Sequence, residues 1–374
     1  MESENESVGS VSHSVHEYDE MTPHQVKMQM AKEYIEELKN EMDDDELEDT
    51  LQKEIETVKF DKIADTIVLS EPVHYGRVCS HPLSIARTSK LTFVGCLNGD
   101  LYIYGDGYKS VIQFNDTIVV QSSPNDKYLV IGVDNVIYLY EILSVELEPN
   151  TKRKPIDHTL VLRLLKKLTG HRKKVTFMEF EKDSTILYSV ANDRSLKVWS
   201  IRYSSALNNN DSGYIDTLFG HQDVISDMAL LDKDKPITVG NRDKTARVFK
   251  IVNSSQMIYR VPQASDACNC ITVINQNNFV VGTANGHLLL FTSQKKSPLY
   301  TLHDAHGMTM KSTICGEISY KHPISKLCSF PNSDLIVSSS NNQLILWKVD
   351  LENISFTPLN TVNMVYLYSF SQVK

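Results

Sequence analysis

The stretch GHRKKVTFMEFEKDSTILYSVANDRSLKVW, residues 170–199, decides the fold, because its pattern recurs fifty residues later. The second copy, GHQDVISDMALLDKDKPITVGNRDKTARVF, spans residues 220–249. In each copy a His is followed 28 residues later by an aromatic residue, and an Asp lies six residues before that aromatic. Two copies at one spacing indicate a protein built from repeated structural units.

Similar short apolar runs recur on both sides of these copies and follow turn-forming residues such as Asn98-Gly99. Aligned at the end of a third strand, the aromatic residues are Tyr104, Tyr140, Trp199, Phe249, Phe291 and Trp347. Polar insertions at 144–158, 204–213 and 307–321 explain the longer intervals. The pattern resembles that of WD-repeat proteins, which implies an all-β propeller of four-stranded blades.

The resemblance implies seven blades, and the sequence pattern identifies six of them. We expect the propeller to occupy residues 61–374, with a short last blade supplied by residues 351–374 and the segment TIVLS at 66–70. That segment would close the ring, and closure removes exposed strand edges.

The resemblance also implies a buried polar chain in the blade that ends at Trp199. Asp193 is expected to accept a hydrogen bond from His171, His171 to contact Ser189, and the indole N–H to complete the chain. Such a chain needs fixed spacing because buried polar groups require partners. These residues are therefore interpreted as structural.

The following blade keeps His221 and Asp243 but departs from the pattern at two positions. Val239 stands at the Ser position, and Phe249 replaces the Trp. We therefore expect a partial network here and weaker ones in the remaining blades.

Charge is unevenly distributed along the 374 residues, whose net charge is -9. Residues 1–60 contain 18 Asp and Glu against five Lys, and the remainder contains 33 Lys and Arg against 29 Asp and Glu. We expect a disordered acidic tail at 1–20 and an amphipathic helical arm at 21–60. The candidate partner-binding stripe of the arm is Val26, Met30, Tyr34 and Leu38, although a solvated helix fits the same pattern.

Several classes of function lack support in the sequence. There is no GxxxxGK[ST], GxSxG or HExxH motif, and no apolar run approaches the roughly 18 residues of a membrane span. His303, Asp304 and His306 resemble a ligand cluster, but their place before a first strand matches a degenerate Gly-His site. We therefore predict no enzyme activity, metal, cofactor, small-molecule substrate or membrane association. Six scattered Cys without a CxxC indicate reduced thiols in the cytosol or nucleus.

The distribution of basic residues says more about the ligand than these motifs do. Residues 151–174 contain nine Lys and Arg and one Asp. In a propeller, the Gly-His loops and the Asp-containing turns share one face, so basic residues from both should converge there. The candidate RNA-binding residues are Arg172, Lys173, Lys174, Arg194, Arg242 and Lys244. Such a face fits phosphates, but it also fits acidic peptides.

Three segments narrow the resemblance to the WD-repeat subunit of the U3 small nucleolar ribonucleoprotein. They are MTPHQVKMQMAKEYIEELKNE at 21–41, FGHQDVISDMALLDKDKPITVGNRDKTARVFKI at 219–251, and CITVINQNNFVVGTANGHLLLF at 270–291 with DAHG at 304–307. The similarity runs over about residues 21–365. Unlike those relatives, this chain has no final basic, Trp-containing strand, and its N-terminal extension is acidic.

The narrower resemblance implies a non-catalytic RNA-binding protein of the nucleolus. Its expected partners are the box B/C region of U3 snoRNA, the kink-turn-binding protein of the particle and other small-subunit processome proteins. The expected process is maturation of pre-18S rRNA. The alternative is a protein-only WD-repeat scaffold that binds acidic peptides on the same basic face.

Overall fold

Every regular element of the described chain is a β-strand. Within it, no helix has the length and apolar character needed to cross a membrane. The acidic tail and helical arm expected at 1–60, including Val26, Met30, Tyr34 and Leu38, lie outside the described residues. The computed structural model describes residues 62–64, 78, 80–105, 108–143, 162–201, 213–251, 255–262, 267–313, 316–330, 332–340 and 343–363.

Most of the strands form six antiparallel four-stranded sheets, here called blades 1 to 6. Blade 1 contains β1 (Pro82–Arg87), β2 (Thr92–Cys96), β3 (Asp100–Gly105) and β4 (Tyr108–Gln113). Blade 2 contains β5 (Ile118–Ser122), β6 (Tyr128–Val133), β7 (Val136–Ile142) and β8 (Leu162–Thr169). Blade 3 contains β9 (Val175–Phe180), β10 (Ile186–Ala191), β11 (Ser195–Ser200) and β12 (Tyr214–Phe219).

The second half of the chain continues the pattern with one insertion. Blade 4 contains β13 (Ile225–Asp232), β14 (Lys235–Gly240), β15 (Thr245–Lys250) and β16 (Ser255–Arg260). Blade 5 contains β17 (Cys268–Val273), β18 (Asn278–Thr283), β19 (Leu288–Thr292) and β20 (Lys295–Leu302). The strands β21 (Met308–Thr313) and β22 (Gly316–Lys321) then pair as a separate hairpin. Blade 6 contains β23 (Lys326–Ser329), β24 (Leu335–Ser340), β25 (Gln343–Asp350) and β26 (Ser355–Asn363).

The blades are arranged as a propeller. Their first strands pack side by side in the series β1, β5, β9, β13, β17 and β23. Because alternate side chains of a strand point to opposite faces, each pair of neighbouring blades encloses an apolar layer. Between blades 4 and 5, for example, Phe279 stacks on Phe291 with ring centroids 5.3 Å apart, and the Tyr259 ring meets Phe279 edge-on. The predicted all-β propeller is confirmed.

The aromatic residues used for the alignment all lie on third strands, as expected. Tyr104, Tyr140, Trp199, Phe249, Phe291 and Trp347 belong to β3, β7, β11, β15, β19 and β25 respectively. The insertion at 307–321 is ordered as the hairpin β21–β22 between blades 5 and 6. The hairpin lies within the connection from β20 to β23, the first strand of blade 6, so it leaves the propeller at the end where such connections lie.

The C-terminal segment corrects one expectation. Residues 351–374 were assigned to a short seventh blade, but Ser355–Asn363 pairs along β25 as the fourth strand of blade 6. The alignment placed each aromatic on a third strand, and a fourth strand must follow it to complete the blade. Residues 66–70 and 364–374 lie outside the described residues, so their proposed role in closing the ring remains a prediction.

Two apolar faces mark where a seventh blade would lie. On blade 1, Val94 and Tyr102 point away from blade 2 and pack with Val78. On blade 6, Leu335 packs with Ala64, whose backbone N–H donates to Asp334 Oδ1 at 3.0 Å. The described residues Val78 and Ala64 therefore pack on the outer faces of the first and last described blades respectively.

The turn between β2 and β3 supports a test of backbone strain. Gly99 has φ +86°, and a Cβ there would lie 2.2 Å from the Phe114 carbonyl oxygen. Gly307 has φ +74° with nothing within 4 Å of such a Cβ. We expect Gly99→Ala to lower the free energy of unfolding by about 2–4 kcal/mol, and Gly307→Ala by about 1 kcal/mol. Urea denaturation of the two variants measures this; equal losses would show that the close contact does not matter.

Candidate nucleic-acid interface

The candidate residues lie at one end of the strands. In an antiparallel meander, the loop entering a first strand and the turn between the second and third strands lie at the same end. In blade 3 these segments carry Arg172, Lys173 and Lys174 in the loop and Arg194 in the turn. In blade 4 the turn carries Arg242 and Lys244. We call this the cationic end.

A buried network in blade 3 fastens the loop to the turn. The Trp199 indole N–H donates to Ser189 Oγ at 2.8 Å, and Ser189 Oγ lies 2.8 Å from His171 Nε2. His171 Nδ1 lies 3.1 Å from Asp193 Oδ2. A neutral imidazole that accepts from the serine hydroxyl and donates from Nδ1 satisfies every one of these groups. The four residues expected to form the chain do so.

Asp193 also holds the surrounding backbone. It accepts from the backbone N–H groups of Arg172 and Ser195 at 2.9 and 3.1 Å, and from the Ser195 hydroxyl at 2.6 Å. Burial alone would raise the pKa of the Asp193 carboxyl, but the hydrogen bonds from His171, Ser195 and Arg172 outweigh it and hold the pKa well below its usual range. The carboxylate is therefore charged and fixes where Arg172 leaves the loop.

Blade 4 corrects the expectation for its hydroxyl position. His221 Nδ1 lies 2.7 Å from Asp243 Oδ2, as predicted, but His221 Nε2 bonds Thr238 Oγ1 at 2.7 Å. Val239, assigned to this position, points into the opposite apolar layer. The turn of blade 4 is one residue longer than that of blade 3, so counting a fixed distance from the His selected the wrong residue. Only the indole is missing, because Phe249 has no N–H.

Blade 6 keeps more of the network than expected. His306 Nε2 lies 2.7 Å from Ser338 Oγ, which also accepts from the Trp347 indole N–H at 2.8 Å. Burial and the nearby His322 lower the pKa of His306 to about 4, so the ring is neutral. His306 thus occupies the Gly-His position of its blade. Among the described residues, no group of three His, Cys, Asp or Glu side chains is placed to hold a metal ion.

The cationic side chains are largely exposed to solvent. Arg172, Lys173, Arg194 and Arg242 are exposed, and Lys174 and Lys244 are partly so. Lys174 Nζ lies 3.9 Å from Asp116 in a weak ion pair. The structure thus brings all six predicted residues to one end and leaves most of their charge at the surface.

Hydrogen bonds link the two blades across this end. The Arg194 guanidinium donates to the Gln222 carbonyl at 3.2 Å, and the Gln222 N–H donates to Asp243 Oδ2 at 3.2 Å. Next to Gln222, Asp223 accepts from the Arg242 N–H at 3.1 Å. The sequence analysis counted only basic residues at this end and did not consider Asp223. Its position two residues after His221 would have placed it in the same loop.

Arg194 and Lys244 occupy a strained backbone position. Their φ angles are +66° and +56°, in the left-handed region that disfavours side chains with a Cβ. Gly99 and Gly286 fill the corresponding position in blades 1 and 5, with φ +86° and +79° and the same turn hydrogen bond as Arg194. In blades 3 and 4 a cationic residue therefore stands where the backbone geometry favours glycine.

Comparison with known proteins supports the repeat assignment. The family described as WD domain, G-beta repeat, matches residues 162–200 and 313–348. The solved structure of U3-55K is 25% identical with a TM-score of 0.64, covering 78% of this chain and 84% of that one. The chain therefore contains WD repeats, and its fold is that of a WD-repeat propeller. The matched residues 162–200 run from the outer strand of blade 2 through the third strand of blade 3 of this WD-repeat propeller.

Two curated relatives carry names that refer to the U3 particle or to ribosomal RNA processing. The U3 snoRNP-associated protein-like EMB2271 of Arabidopsis thaliana is 27% identical over 51% of this chain and 38% of its own length. Ribosomal RNA-processing protein 9 of Saccharomyces cerevisiae is 23% identical over 67% of this chain and 49% of its own length. The aligned region thus covers less than half of either relative.

The Asp193 network predicts a specific pH dependence. Because the folded-state pKa of Asp193 lies below its unfolded value of about 3.9, its stabilisation is present above that value and is lost as pH falls towards the folded pKa. We expect Asp193→Asn to lower the free energy of unfolding at pH 7 by about 2–3 kcal/mol, and the gap to the parent protein to narrow as the pH falls below about 4.

Urea denaturation at several pH values measures the gap. Asp183→Asn is the matched control, because Asp183 pairs with Lys233 at the exposed surface. That variant should change stability by less than about 1 kcal/mol. A gap for Asp193→Asn that stays constant as the pH falls would contradict the assigned role of the carboxylate.

Proposed function

We propose that this WD-repeat protein is a non-catalytic RNA-binding scaffold of the U3 snoRNP. The names of its relatives, U3 snoRNP-associated protein-like and Ribosomal RNA-processing protein 9, support this role. In this proposal it recognises the box B/C region of U3 snoRNA together with the kink-turn-binding protein. It acts in the nucleolus, in assembly of the small-subunit processome and processing of pre-18S rRNA.

The observation that carries the proposal is the convergence of exposed Arg172, Arg194 and Arg242 at one end of blades 3 and 4. Guanidinium groups bind phosphate oxygens through paired N–H donors. The backbone of each residue is held by a hydrogen bond, whereas the exposed side chains can adjust to the ligand. This combination suits a folded RNA, which proteins recognise mainly through its phosphates and shape.

The other proposed contacts concern proteins. The helical arm expected at 21–60, with its stripe Val26, Met30, Tyr34 and Leu38, is proposed to bind another protein of the particle. The cationic end is proposed to contact the RNA, so the two roles fall on different segments. A protein-only scaffold that binds acidic peptides is the alternative use of the cationic end.

Charge reversal tests the RNA contact directly. We expect the triple variant Arg172→Glu, Arg194→Glu and Arg242→Glu to lose at least 100-fold in affinity for U3 snoRNA at about 0.15 M salt. Each lost phosphate contact should also reduce the slope of log affinity against log salt by about one. Fluorescence anisotropy with labelled U3 snoRNA over a salt series measures both quantities.

The matched control reverses three exposed lysines at the opposite end of the strands, in the turns between first and second strands. These are Lys90, Lys127 and Lys182. Their triple Glu variant has the same net charge as the test variant and should keep nearly all of the affinity. Equal losses would mean that net charge alone governs binding. Absence of U3 binding by the parent protein, with acidic peptides bound instead, would favour the protein-only scaffold.

Arg194 offers a sharper test because of its left-handed backbone. We expect Arg194→Gly to leave the thermal midpoint of unfolding nearly unchanged, since glycine adopts φ +66° without strain and this gain offsets the loss of the exposed hydrogen bond to the Gln222 carbonyl. The same variant should bind U3 snoRNA about 5- to 20-fold more weakly, because it removes one phosphate-binding guanidinium. Calorimetry and anisotropy provide the two readouts. A variant that loses stability and keeps RNA affinity would make Arg194 a structural residue.

A further inference from the structure

An aromatic ring stands beside the cationic end without being part of any core. Phe219, the last residue of β12, has 68% of its surface exposed, more than any other large apolar residue that the structure describes. Its neighbour Leu218 is 7% exposed and packs between blades 3 and 4. The alternation of the strand therefore buries Leu218 and turns Phe219 to the other face of the blade.

Strand pairing places Phe219 next to the cations. Phe219 lies opposite Ser195 in the β11–β12 ladder, and directly opposite side chains share a face of the sheet. Ser195 directly follows Arg194, and its hydroxyl lies 3.4 Å from His171 Nδ1. Arg172, in turn, is bonded through its N–H to Asp193. The ring therefore stands beside the loop that carries Arg172 and the turn that carries Arg194.

The backbone on both sides of the ring is fixed. Ahead of Phe219, β12 pairs with β11. After it, Gly220 passes so close to blade 4 that a Cβ would lie 2.4 Å from Gln256 Oε1 and 2.8 Å from Arg247 Nη1. Arg247 and Gln256 bond each other at 3.0 Å, so these neighbours are held in place. An exposed ring on such a backbone is ready to bind without a large ordering cost.

The position is not one where the fold needs an aromatic residue. In the corresponding loop of the preceding blade, the residue before Gly170 is Thr169, which is also exposed and ends an outer strand opposite the first residue of a third strand. The polar Thr169 fills this position without an exposed ring. The exposed apolar surface of Phe219 is therefore available for an external ligand.

We propose that Phe219 is a stacking platform for an unpaired RNA base whose flanking phosphates contact Arg172 and Arg194. The inference rests on the proposed function. It adds the class of RNA element that the cationic end recognises, which is a single-stranded loop, a bulge or an RNA terminus. Bases of such elements are unstacked and available to aromatic rings, whereas bases in a duplex are not. An aromatic ring beside a loop and a turn that each carry an arginine matches the alternation of base and phosphate along one strand.

The test uses the full chain with labelled U3 snoRNA and with a fully duplex RNA of equal length as probes. We expect Phe219→Ala to bind U3 snoRNA about 5- to 150-fold more weakly, with an unchanged salt slope because no phosphate contact is lost. Phe219→Trp should bind like the parent protein, since it keeps a stacking ring. Binding of the duplex should be the same for all three proteins.

Ile215→Ala is the matched control, because Ile215 is 48% exposed on the same strand but about 13 Å from Phe219. It should bind U3 snoRNA like the parent protein. Thermal unfolding of each variant verifies that it remains folded, as expected for changes at exposed side chains.

The outcomes separate this inference from the proposed function. If Phe219→Ala binds like the parent while the arginine triple variant loses binding, the stacking role is wrong and the RNA-binding function stands. Equal weakening by Ile215→Ala, or equal weakening for the duplex, also overturns stacking. Loss of a protein partner with intact RNA binding would assign the ring to that protein. A parent protein that does not bind U3 snoRNA, either alone or with the kink-turn-binding protein present, removes both proposals.

Discussion

The hydrogen bond that a hydroxyl group on the second strand donates to a loop histidine is the contact on which the cationic end depends. In blade 3 it joins His171 to Ser189, and the other ring nitrogen reaches Asp193. Asp193 then fixes the backbone of Arg172, so the position of a surface cation is set by a buried chain. This chain adds side-chain contacts to the hydrogen bond of 2.8 Å from the Asn192 N–H to the Lys174 carbonyl, which also joins the turn to the loop.

The three described versions of this network show which member matters most. Blade 4 lacks the indole because Phe249 replaces Trp. The Thr238 hydroxyl nevertheless donates a hydrogen bond to His221. Blade 6 keeps the indole and the serine, and its His306 is neutral because burial and His322 lower its pKa to about 4. A neutral ring costs far less to bury than an imidazolium would. The histidine–hydroxyl bond is common to all three blades, whereas the indole varies.

Spacing in the sequence predicted the repeat, the six third-strand aromatics and the His–Asp pairs, because backbone pairing and burial fix those intervals. It failed where one residue is inserted. The longer turn before Asp243 shifted the hydroxyl from Val239 to Thr238, and only the alternation of buried faces distinguishes the two. It also missed that Ser355–Asn363 completes blade 6, since a fourth strand carries no signature comparable to the aromatic. The role of Phe219 needs the strand register, because an exposed and a buried phenylalanine look alike in a sequence.

The cationic end also differs in chemistry from the inner strands, where a charge is neutralised within the protein. There, Lys326 Nζ lies 2.6 Å from the buried Asp227 carboxylate and 4.1 Å from the centre of the Phe177 ring. At the cationic end the same kind of carboxylate is used differently. Asp193 accepts the backbone N–H of Arg172 and does not pair with its guanidinium, so the position of the residue is fixed while its charge remains directed to solvent. A buried carboxylate that bonds a side-chain cation neutralises that cation, whereas one that bonds only the backbone of a cationic residue leaves the charge of that residue exposed.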